Sequence, residues 1–179
     1  MSRLPILAVV FGLFASGCGS DSSSPAAAPS TTAPPTRIVM TATLSPAQEV
    51  PPVTNAESTA SGTVTVTMNM TRDSAGNITA ATVDFLANLT GFQPGTALSA
   101  AHIHNGVQGC ACPVVVNTSI AAGEVSFPSG SGTLNKTGIN VTPVDTATLI
   151  FNNPSGFYFN VHTALNPGGA ARGQLSRTQ

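Results

Sequence analysis

Charge is what this chain has least of. Only 7% of its residues are charged, 6 basic against 7 acidic, where soluble domains average about 25%. With a net charge of -1 and no basic cluster, it has no footprint for gripping a phosphate backbone, so nucleic acid is not among its expected partners. No polybasic stretch is present to hold anionic lipid, and there is no acidic tail. Coiled coils need plentiful Glu, Lys and Leu, and this composition does not supply them. No Ser or Cys stands in a nucleophile elbow, and no acidic pair reads as a glycosidase dyad. The run Asn166-Pro167-Gly168-Gly169 is a turn rather than a phosphate loop, because no strand–loop–helix pattern surrounds it. Trp is absent and Tyr occurs once. What is there is Thr, Ser, Ala and Val with 17 Gly and 14 Pro, a mixture that favours strands joined by many turns. At 41% hydrophobic over 179 residues, the chain holds enough apolar material for one core.

The N-terminus reads as an address. Arg3 precedes an apolar run from Leu4 to Ala15, too short for the roughly 20 residues of a bilayer span but of the length of a secretory apolar region. The run ends in Ala15-Ser16-Gly17 directly before Cys18. This resembles a bacterial lipobox, which makes residues 1–17 a lipoprotein signal peptide and Cys18 the lipidated N-terminus; Ala15 stands where such boxes prefer Leu. An ordinary cleaved signal peptide, with Cys18 incidental, is the alternative. Residues 18–36 are mostly Ser, Pro, Ala and Thr with the single charge of Asp21, a segment that cannot offset its ordering entropy and reads as a disordered tether. The expected placement is export and attachment to the cell envelope through the lipid, with Gly19 and Ser20 after the cysteine favouring the outer membrane. Six Asn-x-Ser/Thr sequons, at Asn69, Asn77, Asn88, Asn117, Asn135 and Asn140, then follow from composition rather than glycosylation.

From Arg37 to Gln179 period-two alternation dominates. Strands are expected at 38–44, 62–70, 78–89, 99–104, 114–117, 132–134, 146–151, 157–163 and 170–176, with Asp73–Asn77 as a hairpin turn. Val64, Val66, Met68 and Met70 form one face of the second strand, and Val83, Phe85 and Ala87 one face of the third. No stretch of useful length shows apolar spacing of three and four. Many short strands with Gly and Pro turns predict an all-β fold, an antiparallel β-sandwich or Greek-key-like barrel.

All three histidines fall in two of these strands. In Ala101-His102-Ile103-His104 the two imidazoles share a face while Ala101 and Ile103 take the other. In Phe157-Tyr158-Phe159-Asn160-Val161-His162 the apolar face is Phe157, Phe159 and Val161, so His162 again leaves the core. Neutral imidazole suits copper or zinc, and H-x-H plus a third histidine is a ligand set for either. Affinity would weaken as pH falls through an unperturbed imidazole pKa of about 6.5. The alternative is three surface histidines that only make hydrogen bonds. Cys110 and Cys112 form a disulfide in an oxidising compartment, act as further thiolate ligands, or do neither. Arg172 is an isolated cation: a solvated strand-end residue, or an anion-steering residue beside a metal.

Ala47-Gln48-Glu49-Val50-Pro51-Pro52, Ala101-His102-Ile103-His104-Asn105-Gly106, Pro113-Val114-Val115-Val116, Tyr158-Phe159-Asn160-Val161-His162-Thr163 and Asn166-Pro167-Gly168-Gly169 through Arg172-Gly173-Gln174-Leu175 occur in this order. Together they resemble the CHRD (chordin-type) domain over about Arg37 to Gln179. Cys112-Pro113-Val114-Val115 departs from the family's usual Gly-Pro-Val-Val, and Gly169-Ala170-Ala171-Arg172-Gly173 lacks the Glu of its Gly-Glu-Ile-Arg-Gly. A fainter similarity, H-x-H followed by a later Val-His and a Gly-Gly closing strand, is to copper/zinc superoxide dismutase, whose binuclear centre needs more histidines than these three. The resemblance implies architecture more than activity. With the lipobox and the histidine placement, the leading reading is a non-catalytic, lipid-anchored binding module of the cell envelope, in its sharpest form holding copper or zinc through His102, His104 and His162. A dismutase-like redox metalloenzyme and a metal-free structural or adhesive domain are the competing readings.

Overall fold

The computed structural model describes residues 33–179. The expected signal peptide, Cys18 and the tether as far as residue 32 lie outside the described residues. Residues 33–36, read as the end of the tether, are exposed. The carbonyls of Pro35 and Thr36 accept hydrogen bonds from Arg72 Nε (2.9 Å) and the Met70 amide (2.7 Å).

The described residues form ten strands and one helix: β1 (Arg37–Leu44), β2 (Ser61–Arg72), β3 (Ile78–Thr90), β4 (Thr96–Asn105), β5 (Val114–Asn117), β6 (Ser126–Phe127), β7 (Gly132–Asn140), α1 (Val144–Asn152), β8 (Phe157–Thr163), β9 (Ala171–Gln174) and β10 (Ser176–Arg177). Strand order is β10-β1-β2-β3-β7 in one sheet and β5-β4-β8-β9 in the other, with β6 paired to β4. Every ladder is antiparallel. The fold is the all-β sandwich that alternation predicts. It does not close into a barrel: Ser45 bridges Arg172 at one corner, while β5 and β7 end their sheets without pairing to each other.

Register explains the core. Val64, Val66 and Met68 of β2 face Ala42, Met40 and Ile38 of β1 and Ala87, Phe85 and Val83 of β3, and all nine are buried. The inner face of the second sheet offers Ala101, Ile103, Phe157, Phe159 and Val161, also buried. The Phe85 and Phe159 rings meet across the sandwich at 5.7 Å, the face-to-face packing of two twisted sheets. The Asp73–Asn77 turn forms as expected. The Asp73 carboxylate accepts from the amides of Ala75 (2.9 Å) and Asn77 (2.8 Å), and Gly76 takes the positive φ of 88° that the turn requires.

One expected strand is a helix. Residues 146–151 lie in α1, where Thr146, Ala147 and Ile150 are buried and Leu149 is 55% exposed. The three-and-four spacing runs through a short segment rich in β-branched and aromatic residues, so composition points to a strand and two turns of periodicity do not outweigh it. Asp145 in the first turn complements the helix dipole. Ile150→Ala should cost about 2–5 kcal/mol, and Leu149→Ala less than about 0.5 kcal/mol, in urea unfolding. Further boundaries differ: β2 runs on to Arg72 and β4 starts at Thr96 rather than residue 99. β6 is unexpected, being two residues long. β7 extends to Asn140 through Asn135, Lys136 and Thr137, which carry no alternation. The strand expected at 170–176 splits at Leu175 into β9 and β10, which belong to different sheets.

β8 is enclosed on both faces, with all seven of its residues buried. Phe157, Phe159 and Val161 face the core, whereas Tyr158, Asn160 and His162 are covered from outside by the segment around Cys112 and the Asn166–Gly169 turn.

Candidate metal centre

β4 and β8 are neighbours, which spacing along the chain could not show. The ladder sets His102 opposite Asn160, His104 opposite Tyr158 and Ala100 opposite His162. The three imidazoles therefore share the outer face of one sheet, and one ring nitrogen from each lies within 4.8 Å of the others. They face away from the core as expected, but not into solvent: His104 and His162 are 7% and 8% exposed.

Two backbone carbonyls fix the ring tautomers. His104 Nδ1 lies 2.7 Å from the Cys112 carbonyl and His162 Nδ1 lies 3.0 Å from the Pro167 carbonyl. A carbonyl can only accept, so both Nδ1 atoms carry the proton and both Nε2 atoms keep a lone pair. His104 Nε2 is buried with no hydrogen-bond partner. His162 Nε2 faces His102 Nδ1 at 3.2 Å and Asn160 Oδ1 at 3.0 Å. An imidazole whose outer nitrogen is held by a carbonyl while its inner nitrogen is bare is arranged as a metal-ligating histidine is. Ligating nitrogens in a tetrahedral zinc site sit about 3.4 Å apart, so gathering this set requires a shift of no more than about 1.5 Å.

Electrostatics prepares the same state. Burial, with repulsion from His162 and His104, lowers the His102 pKa to about 4. Burial also lowers His104 and His162, against the opposing effect of their carbonyl partners and, for His104, of the Asn160 side chain. All three rings are thus neutral near pH 7, the form a metal needs.

The other expected site residues are placed differently. Cys110 and Cys112 form a disulfide, so neither offers a thiolate; Cys112 contributes its carbonyl instead. Arg172 does not have the placement of a steering cation or of a solvated strand end. It is 4% exposed, because Gln48 and Cys110 carbonyls accept from its Nε and Nη1. Its Nε lies 3.5 Å from Glu49 Oε2, and its guanidinium lies 4.6 Å over the Tyr158 ring. Tyr158 in turn stacks on His104 with centroids 4.7 Å apart. The positive charge faces a carboxylate inside the domain, which leaves little field for an anion outside.

A family model for the CHRD domain matches residues 40–175. The chain belongs to the CHRD family. No curated protein matches it.

The CHRD motifs that are scattered along the chain meet here. Glu49, buried at 5% exposure, has its pKa raised to about 7 by burial, against the pull of Arg172. Its carboxylate lies directly over Gly169: a Cβ there would stand 2.5 Å from Oε2, and φ is 140°, so only glycine fits this turn of the CHRD domain. Glu57, also buried, accepts from Thr163 Oγ1 (2.6 Å) and Asn166 Nδ2 (2.5 Å) and so ties down the turn whose Pro167 carbonyl orients His162. Sequence reasoning placed Asn166 in a turn but missed Glu57 and the roles of Asn166 and Glu49. The only signal for Glu49 was its place in the first family motif.

Proposed function

We propose that this CHRD domain is a non-catalytic metal-binding module of the bacterial cell envelope, holding one copper or zinc ion through His102, His104 and His162. The observation that carries the reading is the bare, buried, unpartnered Nε2 of His104 within a cluster of three neutral imidazole nitrogens. A buried acceptor without a partner costs about 1–3 kcal/mol, and a cation on that lone pair removes the cost. Bound there, the ion would supply a positive charge on the outer face of the second sheet. Export and lipidation of Cys18, with residues 18–36 as the tether, would hold the domain at the outer membrane.

Calorimetric titration of the untagged protein with zinc or Cu(II) tests the metal. Binding tighter than about 1 mM, near -4 kcal/mol, is expected. Its absence would leave the histidines to hydrogen bonding and favour the adhesive or structural reading. The anchor is tested separately by Cys18→Ser, which should release the protein from the membrane fraction or stall its processing. Unchanged processing and membrane association would end the lipoprotein reading.

A further inference from the structure

We propose that Asn160 supplies the fourth, oxygen ligand of this centre, making an N3O set that takes a divalent ion, zinc or Cu(II), in preference to Cu(I). The inference rests on the metal-binding function proposed for the three histidines and adds a ligand and a metal class to it. Asn160 occupies the middle of the cluster. It lies opposite His102 in the β4–β8 ladder, diagonal to His104, and two residues from His162 on the same face. Its side chain is 2% exposed, and Oδ1 lies 3.0 Å from His162 Nε2.

That contact joins two acceptors. Because His162 Nδ1 donates to the Pro167 carbonyl, Nε2 presents a lone pair, and an amide oxygen turned towards it presents another. Without a cation, the amide relieves this by turning its NH2 group to Nε2, since the two ends of an amide have nearly the same shape. With a cation between them, the oxygen-inward orientation becomes the attractive one. A separation of 3.0 Å is close to the spacing of adjacent ligand atoms around an ion with bonds of about 2.0–2.2 Å. Three imidazoles and one amide oxygen complete four-coordination. The oxygen favours a harder, divalent ion, whereas Cu(I) favours thiolate and thioether ligands, and the two nearby sulfurs are bonded to each other.

The test compares untagged wild-type protein with Asn160→Ala and Asn160→Asp, titrated with zinc and with Cu(II), and followed by the Cu(II) electron paramagnetic resonance spectrum. Circular dichroism checks the fold. An oxygen ligand predicts that Asn160→Ala binds at least about tenfold more weakly, with altered Cu(II) hyperfine splitting. It also predicts that Asn160→Asp, which keeps the oxygen and loses the N–H donors, binds at least as tightly as wild type. If the amide serves only as a donor to His162, Asn160→Asp will bind as weakly as Asn160→Ala, and the proposal falls. Wild-type affinity and spectrum in Asn160→Ala also overturn it. Should Asn160→Ala not fold, the Asp variant decides alone. Failure of the wild type to bind either ion would instead overturn the metal-binding function itself.

Discussion

Arg172→Met is expected to destabilise the domain by about 3–5 kcal/mol, the range for removing one partner of a buried ion pair. Methionine retains much of the apolar stem, so the loss falls on the guanidinium. Its removal leaves the Gln48 and Cys110 carbonyls without their donor and Glu49 without its counter-charge. Glu49 can respond by taking up a proton, because burial already holds its pKa at about 7. A carboxylate pKa raised in the folded state lowers stability as pH rises from the unfolded value towards the folded one. Without Arg172 the folded value rises further. The cost of Arg172→Met should therefore be larger at pH 8 than at pH 5.5, as measured by urea unfolding at each pH. Adding Glu49→Gln should recover part of the loss at pH 8 and little at pH 5.5. A cost below about 1 kcal/mol at pH 8 would mean that the pair behaves as an exposed one.

This pair also marks the limit of what could be read from the sequence. The β2 strand was legible because Val64, Val66, Met68 and Met70 alternate with Thr and Asn, and only one face of the strand is buried. The shared face of His102 and His104 was legible for the same reason. That His162 joins them was not, because His102 and His162 are 60 residues apart and meet only through the β4–β8 ladder, a contact that no local period encodes. Arg172 and Gln48 are 124 residues apart, and Arg172 read as an isolated cation because its partner lies on a turn after β1. Period two could say that the histidines leave the core. It could not say that two loops cover them, because a strand's alternation separates its faces without stating what lies beyond each. In α1 the two levels conflicted: Thr146, Ile150 and Phe151 have strand preferences, yet Ala147 and Ile150 pack inward at helical spacing, and packing decided.

The metal is expected to raise stability as well as bind. An ion that binds only the folded state, at a hundredfold excess over its Kd, adds about 2.7 kcal/mol. For a domain of this size that moves the melting temperature by about 5–10 °C. His104→Ala and His162→Ala should abolish the shift. Because both rings are buried and donate to the Cys112 and Pro167 carbonyls, each should also lower the metal-free melting temperature, and the metal effect is the difference between scans of the same variant with and without zinc. The pH dependence follows from the same nitrogens. In the metal-free protein the three imidazoles have folded pKa values below the ordinary value of about 6.5, with His102 at about 4. Between those values the unfolded chain binds more protons than the folded one, so stability rises with pH. The stability due to neutral rings is complete above about pH 6.5 and is lost as pH falls towards 4. Glu49 acts in the opposite direction between its ordinary value of 4.5 and about 7, but it is one group against three. Protons compete with the ion for the same lone pairs. Because the folded values are depressed, the metal-induced shift should fade at a pH below the value of about 6.5 of free imidazole. Differential scanning calorimetry from pH 4 to 8, with and without zinc, measures both effects. A metal-induced shift that survives His104→Ala, or that halves at pH 6.5, would place the ion at some other site than these three rings.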